Sequence, residues 1–137
     1  MRIVLDTNVI IAAFASRGLC HSLFELCIDQ FEVVISEDIL NEVRESLQEK
    51  LKLPVKVAAE IQDYLKERMI IEKVLQIPKG VCRDPDDESI LGLTKSTNVK
   101  YLITGDKDLL ELRKFGIVKI VTPRQFWEVV KGQSRSK

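Results

Sequence analysis

Short apolar runs that alternate with helical patterns constrain the fold of this chain more than any other feature. The consecutive β-favouring residues Ile3 to Leu5 predict a strand that is buried on both faces. Further apolar runs predict strands near residues 32, 72, 101 and 118, with helical patterns between them. Strands that alternate with helices pair in parallel, with helices on both faces of the sheet. We therefore predict a three-layer α/β/α sandwich around a mostly parallel five-stranded sheet of order 3-2-1-4-5.

The predicted helices carry recognisable start and stop signals. N-cap or first-turn residues precede four of them: Ser36, Pro54, Asp84 with Pro85, and Thr122 with Gln125. The helix at Pro54 should run to about Met69, and a short helix over residues 108–112 should stop near Gly116. Residues 70–77 show only a weak pattern, which is compatible with a short edge strand.

Length and charge predict one domain without a general attraction for nucleic acid. The 137 residues are 45% hydrophobic, which is enough for one core, and we assign residues 1–131 to a single domain. Residues 132–137 form a polar, basic tail that we expect to be disordered. The 21 basic and 21 acidic residues cancel, so any polyanion must be bound by a local arrangement of groups.

The cysteines and the N-terminal apolar run predict a reduced, cytoplasmic protein. Three cysteines without CxxC or His-flanked spacing argue against a disulfide framework and against a zinc site. We interpret Cys20 and Cys27 as core residues, and His21 as a surface or capping residue. The apolar run that starts at Ile3 is broken by Asp6, which argues against a signal peptide and a membrane span.

Acidic side chains occur where several predicted elements would meet. Asp6 and Asp106 each follow an apolar strand, and strands one and four are neighbours in the predicted order. Asp87 shares a helical face with the apolar Ile90 and Leu91, so it should point inward. Glu42 lies early in the helix after strand two, although other acids on that helix make its selection less specific. All four carboxylates can reach one crevice.

A divalent cation would explain this convergence. Carboxylates in a partly dry volume repel one another and lose hydration, and the motifs contain no matching basic cluster. Oxygen ligands without histidine favour Mg²⁺ or Mn²⁺ over Zn²⁺. Each acid also has a structural interpretation, because Asp6 and Asp106 could simply cap helices and Asp87 could answer a helix dipole.

Four motifs together resemble the PIN-domain nucleases, and most closely the branch described as toxin components of toxin–antitoxin pairs. They occur in family order along nearly the whole chain: Leu5-Asp6-Thr7-Asn8-Val9, Leu40-Asn41-Glu42-Val43, Arg83-Asp84-Pro85-Asp86-Asp87, and Ile103-Thr104-Gly105-Asp106-Lys107-Asp108-Leu109. Each motif is weak alone, and the series of four is specific. Thr94 departs from the small apolar residue that relatives often carry, which should affect packing rather than chemistry.

The resemblance implies a metal-dependent endoribonuclease acting on single-stranded RNA. The residues that match the catalytic, metal-binding positions of the family are Asp6, Glu42, Asp87 and Asp106; Asn8, Thr104 and Asp108 match supporting positions. The choice between Asp86 and Asp87 is open, and the helical face favours Asp87. The implied cofactor is Mg²⁺ or Mn²⁺, and the implied partners are RNA, an antitoxin protein and a second copy of the chain.

Substrate contacts and other functions are less specified by the sequence. No residue is assigned to substrate binding. The basic residues that flank the motifs could hold an RNA backbone, but for each of them an ordinary solvated surface charge is the better interpretation: Arg83, Lys107, Arg113 and Lys114. A haloacid-dehalogenase-type phosphatase would need a second Asp at position 8, where this chain has Asn8. The alternative that stays open is a catalytically silent PIN-like module that binds RNA or protein.

Overall fold

The strands form one sheet in the predicted order. The computed structural model describes residues 1–82, 86–95 and 98–135. Its strands are β1 (Arg2–Leu5), β2 (Glu32–Ile35), β3 (Ile70–Ile71), β4 (Val99–Ile103), β5 (Lys114–Phe115) and β6 (Val118–Val121). They are arranged β3-β2-β1-β4-β6-β5, and every pair is parallel except β5 with β6. The predicted order 3-2-1-4-5 is confirmed, with β6 as the fifth predicted strand.

Helices flank this sheet, as predicted. In the described ranges they are α1 (Thr7–Ala15), α2 (Leu19–Gln30), α3 (Glu37–Glu49), α4 (Val55–Arg68), α5 (Asp86–Lys95), α6 (Lys107–Leu112) and α7 (Pro123–Arg135). The Ser36 hydroxyl accepts a hydrogen bond from the Ile39 N–H at 3.1 Å, so it caps α3. Thr122 and Gln125 form the predicted capping box at the start of α7. Pro54 lies just before α4 as its N-cap, and the Asp84–Pro85 signal falls outside the described residues.

The central strand β1 and the helix α7 are packed into the hydrophobic core. Ile3, Val4 and Leu5 of β1 are each at most 1% exposed, which confirms a strand buried on both faces. On α7, the fully buried Phe126 ring contacts Phe31 and Tyr101 in edge-to-face geometry, with centroids 5.8 and 5.1 Å apart. These contacts fix α7 against the sheet.

Cysteine, histidine and threonine side chains outside the site have structural roles. Cys27 is buried in the core, and burial raises the pKa of its thiol to about 12. His21 donates from Nδ1 to the Ala13 carbonyl oxygen at 3.0 Å and so caps the end of α1, as predicted. Thr94 is buried and donates to the Leu91 carbonyl oxygen at 2.7 Å. These contacts of the three side chains are thus with the core or with backbone carbonyl oxygens.

The sheet has one edge strand, β5, that the sequence patterns did not predict. The expected helix end near Gly116 lies earlier, because Arg113 has a positive φ of 61° and ends α6 after Leu112. Gly116, with a φ of 62°, then turns the chain so that Phe115 pairs with Val118. The sheet therefore has six strands rather than five.

Of residues 70–77, where the sequence shows a weak strand pattern, only Ile70 and Ile71 belong to the sheet, as β3. After the Glu72 N–H donates to the Ile35 carbonyl oxygen, the chain leaves β2 and crosses α5. There the Leu75 N–H donates to the Gly92 carbonyl oxygen at 3.1 Å. A Cβ atom on Gly92 would lie 2.2 Å from the Leu75 oxygen, so only glycine permits this crossing.

The C-terminal helix is longer than predicted. It continues to Arg135, into the segment that we expected to be a disordered tail from residue 132. None of the described helices is long and apolar enough to cross a membrane alone. Taken together, α1 and α2 have sufficient length and apolar composition, but the chain bends by 111° between them.

Candidate functional site

A cleft of about 600 Å³ opens at the carboxyl ends of the central strands. Asp6 follows β1, Glu42 lies in α3 after β2, Asp106 follows β4, and Asp87 lies in the first turn of α5. All of them line the cleft, because β1, β2 and β4 are parallel and their carboxyl ends meet at one edge of the sheet. The fold thus brings the four predicted acids to one crevice.

The Thr104 hydroxyl connects the two strand-end aspartates. It donates to Asp6 Oδ2 at 2.7 Å and accepts a hydrogen bond from the Asp106 N–H at 3.0 Å. Thr104 is fully buried at the end of β4, so its position is set by the sheet. Asp6 Oδ1 accepts from the Thr7 N–H and caps α1, while Asp106 Oδ1 accepts from the Asp108 N–H and caps α6. Both acids therefore cap helices and also line the cleft, so a capping role does not exclude a role in the site.

Burial opposes ionisation of Asp6. Loss of hydration raises the pKa of Asp6 above its usual range, and the neighbouring Asp106 charge adds to this. The hydrogen bonds from Thr104 and Thr7 favour the carboxylate and lower the pKa, but they do not outweigh burial. Burial thus disfavours a negative charge on Asp6, and a cation in the cleft would relieve this cost.

Asp6→Asn is expected to make the metal-free protein more stable than wild type at neutral pH. Because the folded-state pKa of Asp6 is raised, its protonated form is favoured by folding, and wild type loses stability as the pH rises through that pKa. The amide in the variant is neutral at every pH. The variant should therefore become more stable than wild type as the pH rises through the Asp6 pKa, and the difference in free energy of unfolding should vanish in acid. Urea unfolding in EDTA at a series of pH values measures this difference. A variant less stable than wild type at neutral pH would contradict it.

Glu42 accepts a hydrogen bond from Thr7, which was not among the predicted site residues. The Thr7 hydroxyl donates to Glu42 Oε2 at 3.0 Å, so the start of α1 is joined to α3 across the cleft. Thr7 is 8% exposed, whereas Glu42 is exposed to solvent. The position of Thr7 between Asp6 and Asn8 in one motif could have indicated a role in the site. Its hydrogen-bond partner Glu42, however, is 35 residues away in sequence.

Three carboxylates lie close enough to share an ion. One oxygen each of Asp87, Asp106 and Asp108 lies within 4.8 Å of the others, the only such group among the described residues. Asp108 was predicted as a supporting residue, and it joins this group from the first turn of α6. Asp6 and Glu42 line the cleft but do not belong to this group of three carboxylates. The all-oxygen donors suit Mg²⁺ or Mn²⁺, so the residues present fit a hard divalent ion.

The cleft is strongly acidic overall. Lys50 is the one basic residue among its described lining residues. The acids that line it are Asp6, Asp38, Glu42, Glu45, Glu49, Asp87 and Asp106. The predicted supporting residue Asn8 also lines the cleft and is exposed. Of the basic residues considered from sequence, Lys107, Arg113 and Lys114 do not line it, and Arg83 lies outside the described residues.

Comparison with known proteins agrees with this architecture. The family model of the PIN domain matches residues 2–108. The fold is similar to that of a chain in the crystal structure of VapBC2 from Rickettsia felis, which is bound to a DNA fragment from its promoter. The TM-score is 0.63 and the sequence identity is 16%. That similarity covers 89% of this chain and 98% of the other chain. No curated protein matches the sequence. With its family match extending from the first strand into the α6 motif, the chain belongs to the PIN domain family.

Proposed function

We propose that this protein is an endoribonuclease that hydrolyses single-stranded RNA with Mg²⁺ or Mn²⁺. The observation that carries the proposal is the convergence of Asp6, Glu42, Asp87 and Asp106, from four separate segments, on one cleft. PIN domains are in general metal-dependent nucleases, and the motifs that carry these acids resemble the motifs of that family. A binding module would gain nothing from keeping partly buried carboxylates together, because their repulsion costs stability.

The ligand set we propose combines the compact group with its neighbours. Asp87 and Asp106 would hold the ion directly, with Asp108 beside them. Asp6 would contribute its charge from the end of β1, since Thr104 ties it to Asp106. Glu42 would act from the α3 wall of the cleft, either as a ligand or toward the reacting water.

The chemistry that we propose is direct hydrolysis. No Ser–His or Cys–His pair lines the described part of the cleft, so a covalent nucleophile is disfavoured. A bound divalent ion would supply a more acidic water and neutralise charge on the phosphate and the leaving oxygen. Glu42 Oε2 is engaged by Thr7, which leaves Oε1 to accept a proton from the attacking water. Thr104 keeps the Asp6 carboxylate oriented throughout.

The acidic lining makes the divalent ion necessary for substrate binding as well. Seven lining carboxylates against one lysine would repel an RNA backbone. We therefore expect RNA to bind only with Mg²⁺ or Mn²⁺ present. The test is to incubate the purified protein with single-stranded RNA, double-stranded RNA and single-stranded DNA, in each metal and in EDTA. Metal-dependent cleavage of single-stranded RNA supports the proposal, and RNA binding without cleavage in any metal supports the silent binding module instead.

Thr7→Val is expected to weaken Mn²⁺ binding by about 10-fold, because loss of a residue that orients a ligand typically has an effect of this size. Valine keeps the shape of the buried side chain but cannot donate to Glu42. Thr7→Ser keeps the donor and should bind Mn²⁺ nearly as wild type does. Isothermal titration of the two variants decides the matter: equal Mn²⁺ affinities in both would show that the hydroxyl does not support the site.

We further propose that the protein is the cytoplasmic toxin of a toxin–antitoxin pair. The sequence motifs resemble that branch, and the similar structure is of VapBC2, bound to a promoter DNA fragment. The α3–α4 hairpin exposes Val55, Val57 and Tyr64, apolar side chains that an antitoxin or a second copy of the chain could cover. A neighbouring short reading frame that encodes a DNA-binding protein would support the pairing. If none exists, this role is wrong while the nuclease proposal stands.

A further inference from the structure

An amide side chain on the wall of the cleft is held from behind by a buried residue. Asn41 lies on α3 beside Glu42 and lines the cleft. Gln62, on the neighbouring helix α4, is only 9% exposed. Its Nε2 atom donates to the Leu40 carbonyl oxygen at 3.2 Å and to Asn41 Oδ1 at 3.3 Å. Asn41 is thus the one lining residue to which a described hydrogen bond runs from the α4 side.

These two hydrogen bonds determine which way the Asn41 amide faces. A backbone carbonyl can only accept, so the Gln62 atom nearest Leu40 must be the NH₂ group. The same NH₂ group also contacts Asn41, whose atom at that contact must therefore be its carbonyl oxygen. The Asn41 oxygen is thus occupied on the α4 side, and its NH₂ group is left for the cleft.

A neutral donor at this position complements a phosphate in a way that its neighbours cannot. Glu42 and Glu45, on the same stretch of α3, are acceptors that repel a phosphate. An amide NH₂ group donates hydrogen bonds without the attraction to carboxylates that would draw a lysine or arginine side chain onto them. Because Gln62 already fixes its oxygen, Asn41 also loses less rotational freedom on binding.

We propose that Asn41 is a substrate-binding residue whose amide NH₂ donates to a phosphate oxygen of the RNA strand, and that Gln62 is its positioning residue. This inference rests on the proposed ribonuclease function. The competing explanation for Gln62 is that it only joins α3 to α4, in which case its loss would affect stability but not RNA binding. The two explanations differ in whether the effect of Gln62 depends on Asn41.

The test is single-turnover cleavage of single-stranded RNA in Mn²⁺ over a range of protein concentrations. Asn41→Leu keeps the branched shape and removes the donor, and it should raise the half-saturating protein concentration about 10-fold or more. The maximal rate and the Mn²⁺ affinity should change little. Gln62→Leu should give a smaller increase, and it should add nothing in the Asn41→Leu background. Gln48→Leu, on α3 but away from the cleft, is the matched control and should bind RNA as wild type does.

Each outcome decides between the proposals. If wild type cleaves RNA but Asn41→Leu has the same half-saturating concentration, the inference is overturned and the ribonuclease function stands. If Gln62→Leu weakens RNA binding equally with and without Asn41, its positioning role is overturned. If wild type neither binds nor cleaves RNA, the function and the inference fail together. Thermal melting of every variant identifies any loss that comes from unfolding.

Discussion

Asp6→Asn is expected to lower the rate of metal-dependent RNA cleavage by at least about 100-fold. The substitution removes one of the negative charges that would hold the divalent ion, and the ion would stabilise the transition state. The fold should persist. The carbonyl oxygen of the new amide can still accept from the Thr7 N–H, and the Thr104 hydroxyl, which already accepts from the Asp106 N–H, can also accept from the amide NH₂ group. Single-turnover cleavage in Mn²⁺ measures the rate, and circular dichroism with thermal melting measures the fold.

Asp63→Asn is the matched control for this prediction. Asp63 is an exposed acid on α4 that does not line the cleft, so the substitution removes the same charge elsewhere. It should cleave RNA at the wild-type rate. Equal rates for Asp6→Asn and wild type, once contaminating nucleases are excluded, would contradict the assignment of Asp6 to the reaction. Equal losses in both variants would mean that net charge, rather than the site, determines the rate.

Phe126→Ala is expected to destabilise the protein by about 3–5 kcal/mol, the usual cost of truncating a large aromatic side chain in a core. Phe126 is fully buried and contacts the rings of Phe31 and Tyr101, so its removal leaves a cavity between α7 and the sheet. Domains of this kind are stable by about 5–15 kcal/mol, so the loss is a large share of the total. Urea unfolding followed by circular dichroism measures it.

Trp127→Ala separates this effect from aromatic truncation in general. Trp127 is the next residue on α7 but only half-buried, and its ring faces the Lys131 ammonium group 4.8 Å from its centroid. We expect a loss of about 1 kcal/mol. Neither substitution touches the cleft, so the folded fraction of each variant should bind Mn²⁺ as wild type does. A Phe126→Ala loss no larger than that of Trp127→Ala would show that the α7 contact is not a main support of the fold.

The sheet could be predicted because its strands are recorded in local sequence patterns. Ile3 to Leu5 form a continuous apolar run because both faces of β1 are covered, and such a run has few other interpretations. Ser36 and Thr122 indicate helix starts because each side chain accepts a hydrogen bond from the backbone N–H three residues later. Once parallel strands were expected, the proximity of Asp6 and Asp106 followed from the strand order alone.

The features that could not be predicted depend on contacts between distant segments. β3 is short because residues after Ile71 leave the sheet for a hydrogen bond with Gly92, a partner that no local pattern reveals. β5 depends on positive φ angles at Arg113 and Gly116, and only the glycine was an expected site for one.

The same distinction applies to the site. Motif positions selected Asp6, Asp87 and Asp106, because strand ends and helical faces locate their backbones. Thr7 and Asn41 are hydrogen-bonded to side chains in other elements, Glu42 and Gln62, and the sequence does not specify those pairs. Likewise, the grouping of Asp108 with Asp87 and Asp106 required the orientation of α6 against α5.

The most direct test of the central claim is the rate of single-stranded RNA cleavage as a function of Mn²⁺ concentration, in wild type and in Asp87→Asn. Asp87 belongs to the compact carboxylate group, so its loss should weaken the ion site specifically. We predict no cleavage by wild type in EDTA and a rate that rises to saturation with Mn²⁺. Asp87→Asn should need at least about 10-fold more Mn²⁺ or show no cleavage. Cleavage by wild type that persists in EDTA, or identical Mn²⁺ curves for the two proteins, would contradict the claim that these carboxylates form the metal centre of a nuclease.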